Sequence, residues 1–306
     1  MEFKHISVLA DEVIENLNIK PDGIYVDLTL GKGGHSKRIL ENLSENGRLI
    51  ALDQDQDALN AAKENLSDFS NVIFVKSNFE NIDRVLDDLG ISKIDGALMD
   101  IGVSSYQIDN ADRGFSYMHD GPLDMRMDTG NELTAEKIVN DYSLDELQKI
   151  FSNYGEERFS RTIARKIVET RDEQRIDTTY KLRDLINKSV RSNEAHPEKR
   201  VFQALRIEVN RELEVLENTL DKVIDRLYIG GRLCVITFHS LEDRIVKNTF
   251  KELEKDCICP PGLPVCVCNH EAKVKTINKK PIIAGKKELE ENSRAKSAKL
   301  RVCQRI

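Results

Sequence analysis

A glycine-rich turn near the N-terminus constrains the fold of this 306-residue chain more than any other feature. The apolar run Ile24–Leu28 leads into Gly31-Lys32-Gly33-Gly34-His35, after which a helical pattern begins. A second apolar run, 48–52, delivers Asp53 eighteen residues beyond the turn. This is the layout of a nucleoside-binding βαβ unit, in which glycines let the backbone approach the ligand and the second acid accepts hydrogen bonds from ribose hydroxyls. The sequence therefore predicts a pocket for a nucleoside-containing cofactor.

The spacing of the glycines excludes two common nucleotide-binding motifs. A dinucleotide site requires G-x-G-x-x-G, and counted from Gly31 the last position is Ser36. The phosphate-binding motif G-x-x-x-x-G-K-[ST] is absent as well. An acid followed after three residues by Gly31-Lys32-Gly33-Gly34 resembles the first motif of S-adenosylmethionine-dependent methyltransferases. The alternative is a tight turn in an unrelated α/β protein, and the spacing of Asp53 makes that the weaker interpretation.

Composition and charge narrow the class of partner. No apolar run approaches the roughly 18 residues of a membrane span, and the first residues lack the apolar core of a secretion signal. We therefore expect a cytoplasmic protein without a membrane partner.

The net charge of −7 is unevenly distributed along the chain, because residues 151–211 carry +4 and residues 269–306 carry +7. Two basic segments favour a polyanionic partner, with a solvated helix face and a disordered tail as the alternative.

Periodicity divides the chain into a strand-helix region and a helical region. Strands are predicted at 25–28, 49–52, 72–75, 96–99 and 232–238, and the first helices at 34–43 and 58–66. From about Leu133 to Leu227 the pattern is almost wholly helical, with a capping box at Ser143–Glu146 and helices at 159–170, 180–189 and 201–227. We expect an α/β fold, a Rossmann-like class I methyltransferase sheet with an inserted helical domain.

Domain boundaries follow from this division. The predicted ranges are 1–108 for the first part of the S-adenosylmethionine-binding domain, 109–227 for a helical insert that recognises the substrate, and 228–306 for the second part. The lysine-rich tail beyond Asn269 is expected to be partly mobile.

Residues that follow the predicted strands are candidates for the site, because ligands of open α/β sheets bind beyond the carboxyl ends of the strands. Phe79 is expected either to flank an adenine ring or to fill the core. Asp100 directly follows the fourth strand. The lone pair of an exocyclic amine is conjugated with its ring, so acceptors that hold its hydrogens favour a pyramidal nitrogen. Asp100 is therefore the candidate catalytic residue, and contact with the cofactor is a second role that does not exclude the first.

Several other clusters are rich in functional side chains, and their roles stay open. Arg113–Asp128 reads as a structured loop next to the site, and His239 is interpreted either as facing a substrate or as hydrogen-bonded in the core. A flipped base needs stacking partners, and a basic helix face suits phosphates. The candidates for these two tasks are Tyr106, Phe115 and Tyr117 for stacking, and Arg158, Arg161, Arg165 and Lys166 for phosphates.

Four cysteines are bunched as Cys257-x-Cys259 and Cys266-x-Cys268 around a Pro/Gly-rich loop. Four thiolates can hold zinc tetrahedrally, but a C-x-C pair turns both sulfurs toward one ion less readily than C-x₂-C. A zinc site and a rigid thiol-rich loop both remain open, and no metal ligand is assigned.

Longer motifs resemble one family from the first ten residues to the last ten. They are His5–Leu9, Gly33–His35, Asp100–Ser105, the cluster RGFSYMHDGPLDMRMD, Gly231–Lys247 and Arg294–Arg301. All are similar to the bacterial RsmH (MraW) group of ribosomal RNA cytosine-N4 methyltransferases. The resemblance implies S-adenosylmethionine as cofactor and one cytidine in the decoding region of 16S rRNA, in the small ribosomal subunit, as substrate, with no DNA partner.

The resemblance also implies a set of cofactor contacts: Gly33, Gly34, His35, Asp53, Phe79, Asp100 and Gln107. Tyr106 stands where the family pattern has proline, which bears on the local turn before Gln107. The family offers no general base to carry over.

Three other functions compete with this interpretation. A methyltransferase for adenine commonly carries Asp/Asn-Pro-Pro-aromatic after the fourth strand, whereas this chain has Asp100-Ile101-Gly102-Val103; a protein side chain is the other possible amine. A non-catalytic RNA-binding ribosome assembly factor is disfavoured by the intact glycine turn and Asp53. A nicotinamide oxidoreductase is disfavoured by Ser36.

Overall fold

The computed structural model describes residues 7–190, 196–259, 265, 267–268 and 270–306. The chain forms two compact units, one of Met1–Gly102 with Leu213–Ile306 and the other of Val103–Glu212. We call them the sheet unit and the inserted unit. Three residues discussed above, His5, Ile6 and Cys266, lie outside the described ranges.

The sheet unit is built on seven strands in the order β3-β2-β1-β4-β5-β7-β6. Their bounds are β1 Ile24–Asp27, β2 Arg48–Asp53, β3 Val72–Lys76, β4 Ile94–Asp100, β5 Leu227–Thr237, β6 Val274–Thr276 and β7 Lys299–Arg305. β1 to β5 pair in parallel, and β7 runs antiparallel to both β5 and β6. This confirms the predicted class I methyltransferase sheet and all five predicted strands.

Helices cover both faces of the sheet. They are α1 Ala10–Leu17, α2 Gly34–Leu40, α3 Gln56–Asn65, α4 Ile82–Asp88, α11 Glu212–Arg226, α12 Ser240–Leu253 and α13 Lys286–Glu291. Successive strand residues enter two separate cores, since Val26 and Ile50 pack in one and Tyr25 and Leu49 in the other. This alternation is the period of two expected for a strand, with an apolar layer on each face.

The inserted unit is helical around a third core. Its helices are α5 Ser105–Asp109, α6 Ala135–Asp141, α7 Leu144–Asn153, α8 Ser160–Arg171, α9 Thr179–Ser189 and α10 Pro197–Asn210. The predicted capping box is confirmed at the start of α7, where Ser143 Oγ accepts from the Glu146 amide and Glu146 accepts from the Ser143 amide. None of the helices in the described ranges combines the length and the hydropathy needed to cross a bilayer.

The prediction of one helix over 201–227 is wrong. Arg211 adopts a left-handed conformation with φ +51° and separates α10 from α11. Val201 and Leu205 are buried in the core of the inserted unit, whereas Leu216 and Leu220 are buried in a core of the sheet unit. Because the two halves of this segment pack into different cores, the chain forms two helices here. The apolar periodicity nevertheless continues across the break at Arg211. Residues 213–227 therefore pack with the sheet, while the sequence analysis assigns them to the insert.

The expected mobility of the basic tail is wrong for its last segment. Lys299–Arg305 is strand β7, which lies between β5 and β6 with Leu300, Val302 and Cys303 fully buried. Lys299, Arg301 and Arg305 are interspersed with these apolar residues. The high positive charge of the segment therefore hid the alternating pattern that is typical of a strand.

Candidate active site

The carboxyl ends of β1, β2 and β4 meet where the strand order changes direction. The chain runs from β1 outward through β2 to β3 and then returns to β4 on the other side of β1. Loops on the two sides of such a switch point leave in opposite directions and open a ligand crevice. Asp27, Asp53 and Asp100 are the last residues of these strands. Three carboxyl groups therefore occupy one edge of the sheet.

The turn after β1 holds its glycines in left-handed conformations. Gly31 has φ +53° and Gly33 has φ +83°, which residues with a Cβ rarely adopt. Among the described residues, a Cβ on Gly31 would meet no atom within 4 Å, whereas one on Gly34 would collide with Ser7 Oγ. Gly31 borders open space, so its backbone is the part of the turn that a ligand can approach.

Asp27 supports the turn from within the protein. Its buried carboxyl group accepts hydrogen bonds from Ser36 Oγ at 2.7 Å and from the Thr29 amide at 3.1 Å. Burial raises the pKa of Asp27, and these hydrogen bonds oppose the rise. Sequence reasoning used Ser36 only to exclude a dinucleotide site. A hydroxyl at the start of a helix, nine residues after an acid, is the signal that could have identified this pair.

Asp53 lies across the turn from Asp27. Its Oδ2 accepts from the Gly31 amide at 2.8 Å and its Oδ1 from the Asp55 amide at 2.9 Å. Burial raises the pKa of Asp53 to about 6, against the opposing effect of these amides. The sequence-predicted Asp53 and the glycine turn are thus brought into direct contact.

Phe79 opens a short 3₁₀ helix just beyond β3. It is half-buried and packs against the core that contains Ile82 and Val26. The segment before it is tied to the end of β2, since the Ser77 amide donates to the Asp53 carbonyl. The Asn78 side chain also donates to Gln54 Oε1 at 2.9 Å. One side of Phe79 therefore serves the core, and its exposed part lies on the strand-end edge that carries Asp53.

Asp100 and His35 form an ion pair, with 3.5 Å between His35 Nε2 and Asp100 Oδ2. Burial lowers the pKa of His35, but the neighbouring Asp100 carboxylate outweighs this effect and the net shift is upward. The Asp100 amide donates to Thr29 Oγ1 at 2.6 Å, which fixes the end of β4 against the glycine turn. Within the described residues, Asp100 Oδ1 is buried and has no hydrogen-bond partner. Oδ2 faces the His35 imidazole, whose two ring nitrogens have no hydrogen-bond partner among the described residues, and Oδ1 is available to a ligand.

Gln107 belongs to the inserted unit. It is buried and forms a capping box with Ser104: the Gln107 amide donates to Ser104 Oγ at 3.2 Å, and Gln107 Oε1 accepts from the Ser104 amide at 3.0 Å. Tyr106, in place of the family's proline, occupies the second position of α5 and remains partly exposed. The amide oxygen of Gln107 is thus used to begin a helix, and its role toward a cofactor stays a prediction.

The Arg113–Asp128 cluster is a structured loop of the inserted unit. Buried Arg113 donates from Nη2 to the carbonyls of Arg126 (2.9 Å) and Met127 (3.1 Å). Arg126 in turn binds Asp124 through two hydrogen bonds, and these lower the pKa of Asp124 against the effect of its burial. Several of the charges that made this cluster resemble a site therefore have structural partners within the inserted unit.

His239 caps helix α12. Its Nδ1 accepts from the Glu242 amide at 3.5 Å, and its Nε2 lies 2.9 Å from Glu242 Oε1. Glu242 Oε2 accepts from the backbone amides of Phe238 and His239. Nδ1 is thus used as a helix cap, whereas Nε2, despite its short distance to Glu242, makes no hydrogen bond among the described residues. Whether this histidine also faces a substrate stays a prediction.

The predicted stacking and phosphate-binding residues differ in availability. Phe115 is buried in the core of the inserted unit, and Tyr117 packs edge to face on Phe202 with ring centroids 5.8 Å apart. Tyr106 is the most exposed of the three aromatic candidates.

On α8, Arg165 and Lys166 border a groove together with Lys188 of α9. Glu169 also borders this groove and pairs with Lys166 at 3.3 Å. The role of this face toward phosphates stays a prediction.

Comparison with known proteins identifies the family. The model of the MraW methylase family matches residues 2–306. "Ribosomal RNA small subunit methyltransferase H" of Clostridium botulinum (strain Kyoto / Type A2) is 59% identical over 309 residues, covering 100% of both chains. The protein of that name from Lachnospira eligens is 57% identical over 311 residues, covering 100% of this chain and 99% of the relative.

Solved structures are more distant. A Streptococcus mutans methyltransferase in complex with SAH is 12% identical with a TM-score of 0.49, covering 99% of this chain and 100% of that one. An rRNA methylase from Streptococcus thermophilus is 13% identical with a TM-score of 0.43, covering 97% and 93%. The full-length family match confirms the resemblance inferred from the sequence motifs and the dependence on S-adenosylmethionine that it implies. The chain belongs to the MraW methylase family and is an S-adenosylmethionine-dependent methyltransferase.

Proposed function

We propose that this chain transfers a methyl group from S-adenosylmethionine to N4 of a cytidine in the decoding region of 16S rRNA, within the small ribosomal subunit. Full-length relatives at 57–59% identity bear the name of an rRNA small subunit methyltransferase. The observation that carries the chemistry is Asp100, which ends β4 with Oδ2 near His35 and Oδ1 unpaired among the described residues. Such a substrate would place the reaction in the cytoplasm, without a DNA or membrane partner.

The residues at the strand ends suit the cofactor. S-adenosylmethionine supplies a methyl group on a sulfonium, an electrophile that needs no further activation. Asp53, ionised above its pKa of about 6, would accept from the ribose hydroxyls. The open face of Gly31 lets the backbone approach the ligand, and Phe79 would flank the adenine. Gly33, Gly34 and His35 shape the turn, and Gln107 is the remaining proposed contact.

Asp100 is proposed to position the amine. Its free Oδ1 would accept a hydrogen from the cytosine amino group, which weakens conjugation with the ring and directs the nitrogen lone pair at the methyl carbon. The Thr29 contact holds the backbone at the end of β4, from which this carboxylate extends, and His35 lies beside Oδ2. Rate would come mainly from this positioning. After transfer, the nitrogen carries one proton too many and releases it to solvent.

The basic groove on α8 and α9 supports a polyanionic substrate. Arg165, Lys166 and Lys188 would contact phosphates, which orient a nucleic acid without reading its sequence. The same surface would serve a non-catalytic assembly factor, so the reaction itself must be tested.

The first experiment incubates the purified chain with labelled S-adenosylmethionine and small subunits from a strain that lacks this gene. Nucleoside analysis should find label in N4-methylcytidine from 16S rRNA. Label in methyladenosine or in ribosomal protein would instead support a different amine. If calorimetry detects cofactor binding but no product carries label, the result would support the alternative of a non-catalytic assembly factor. The Asp100→Asn variant should bind the cofactor but incorporate label about 100-fold more slowly, which would link the signal to this site.

A further inference from the structure

The connection between α12 and β6 brings three cysteine sulfurs together. The Sγ atoms of Cys257, Cys259 and Cys268 all lie within 4.8 Å of one another. Cys268 Sγ is 3.7 Å from Cys257 Sγ, a distance far longer than the roughly 2.05 Å of a disulfide bond. Sulfurs bound at about 2.3 Å to one tetrahedral zinc ion are about 3.8 Å apart. Cys257 and Cys268 therefore already have the spacing of two zinc ligands.

Backbone amides are directed at two of these sulfurs. The Cys259 amide donates to Cys257 Sγ and the Val267 amide to Cys259 Sγ, each at 3.4 Å. These hydrogen bonds are compatible with a thiolate, which is the form of cysteine that binds metal. They also orient the ligands, as the outer partners of metal sites do. The turn thus overcomes the objection that a C-x-C pair cannot easily face one ion.

The described apolar side chains next to these cysteines are exposed. Ile258, Val265 and Val267 are 55%, 69% and 72% exposed, so the apolar side chains near the cysteines point to solvent rather than into a core of their own. Short loops without a core are commonly closed by metal or disulfide bonds. Binding of a metal ion would offset the conformational entropy that is lost when this segment is ordered.

We propose that Cys257, Cys259 and Cys268 bind one zinc ion as thiolates. Each protonated thiol releases its proton to solvent when the ion binds, and water takes the fourth position. Three soft thiolates select zinc over magnesium or calcium. The site follows α12 and precedes β6, the edge strand, so β5 and β7 separate it in the sheet from the end of β4. The ion would fasten this connection and take no part in methyl transfer.

Elemental analysis of the full chain, purified under reducing conditions without chelator, should find about one zinc per chain. The double variant C257S/C259S should lose it. The matched control C234A/C303A removes two buried cysteines on β5 and β7 and should keep it. Zinc-free wild-type protein that also fails to take up added zinc overturns the proposal, as does full zinc occupancy in C257S/C259S.

A second measurement avoids the risk that a serine variant misfolds. Maleimide labelling of the wild-type chain, mapped by mass spectrometry, should modify Cys257, Cys259 and Cys268 only after zinc is removed by chelator. Re-addition of zinc should restore protection. Cobalt in place of zinc should show sulfur-to-metal charge-transfer absorption with the ligand-field bands of a tetrahedral site. Equal labelling with and without chelator, or cobalt spectra without thiolate bands, overturns the assignment.

Discussion

Two loops with similar backbone geometry serve opposite purposes in this molecule. Gly31 in the sheet unit and Gly114 in the inserted unit have φ angles of +53° and +69°. A Cβ on Gly31 would enter open space among the described residues, whereas one on Gly114 would collide with the Pro122 carbonyl and lie 2.8 Å from the Asp124 amide. The first glycine leaves room for a ligand, and the second lets a loop close on itself. Both loops are rich in glycine and charge, so such composition does not distinguish a binding site from a structural loop.

Polar groups show the same contrast. In the sheet unit, Asp100 keeps one oxygen unpaired within the described residues. In the inserted unit, the guanidinium of Arg113 donates to backbone carbonyls, and the carboxylate of Asp124 accepts from the guanidinium of Arg126. A buried polar group without a partner is costly, so it is retained where a ligand completes it.

The largest expected effect is on the closed loop. Gly114→Ala should destabilise the inserted unit by about 4 kcal/mol, because left-handed strain adds to a collision with backbone atoms that cannot rotate away. Hydrogen exchange should accelerate across 103–212 and much less across β1 to β4. Gly130→Ala, at an exposed position with no comparable overlap, is the control. Uniform acceleration of both units would show that they unfold together.

The next effect concerns turnover. Asp100→Asn preserves shape but replaces one acceptor oxygen, and we expect kcat to fall about 100-fold while cofactor affinity changes much less. Single-turnover methylation and calorimetry measure the two quantities separately. Asp68→Asn, at an exposed loop position, should match wild type. Unchanged turnover in Asp100→Asn would remove its positioning role.

Gly31→Ala should have a smaller effect on stability, about 1–2 kcal/mol from the left-handed backbone alone. Its effect on cofactor affinity should be larger than that of Gly114→Ala, because the new methyl group occupies space that the ligand needs. Thermal melts with and without cofactor measure both changes. If Gly31→Ala retained wild-type affinity, the open space would not belong to the pocket.

The smallest effect is a dependence on pH. The folded chain takes up a proton at Asp53 as the pH falls through about 6, and the protonated acid accepts fewer hydrogen bonds from ribose. Cofactor affinity should therefore be constant above pH 7 and fall by up to tenfold per pH unit below about 6. The Asp53→Asn variant should have a lower cofactor affinity that does not change with pH in this range. A fall that persists in Asp53→Asn would point to His35, whose pKa is also raised.

Sequence reasoning succeeded where local pattern and tertiary structure agree. The strands ending in Asp27, Asp53 and Asp100 are short apolar runs bounded by acids and glycines, and parallel pairing brings such ends together without further information. It failed where one local pattern fits two structures. The apolar period of 201–227 is the same whether one helix or two are formed, and the left-handed Arg211 has no signal of its own.

The sequence alone determined the glycine turn, the acids that end β1, β2 and β4, the helical insert and the family. Only the tertiary structure decided which charges are satisfied, because hydrogen bonding depends on atoms far apart in the chain. It paired Asp27 with Ser36, closed Arg113 onto Met127, made His239 a helix cap and left Asp100 Oδ1 open. It also placed β7 inside the sheet and gathered three cysteine sulfurs. These outcomes depend on contacts between residues that lie far apart in the sequence, and a local sequence pattern does not reveal such contacts.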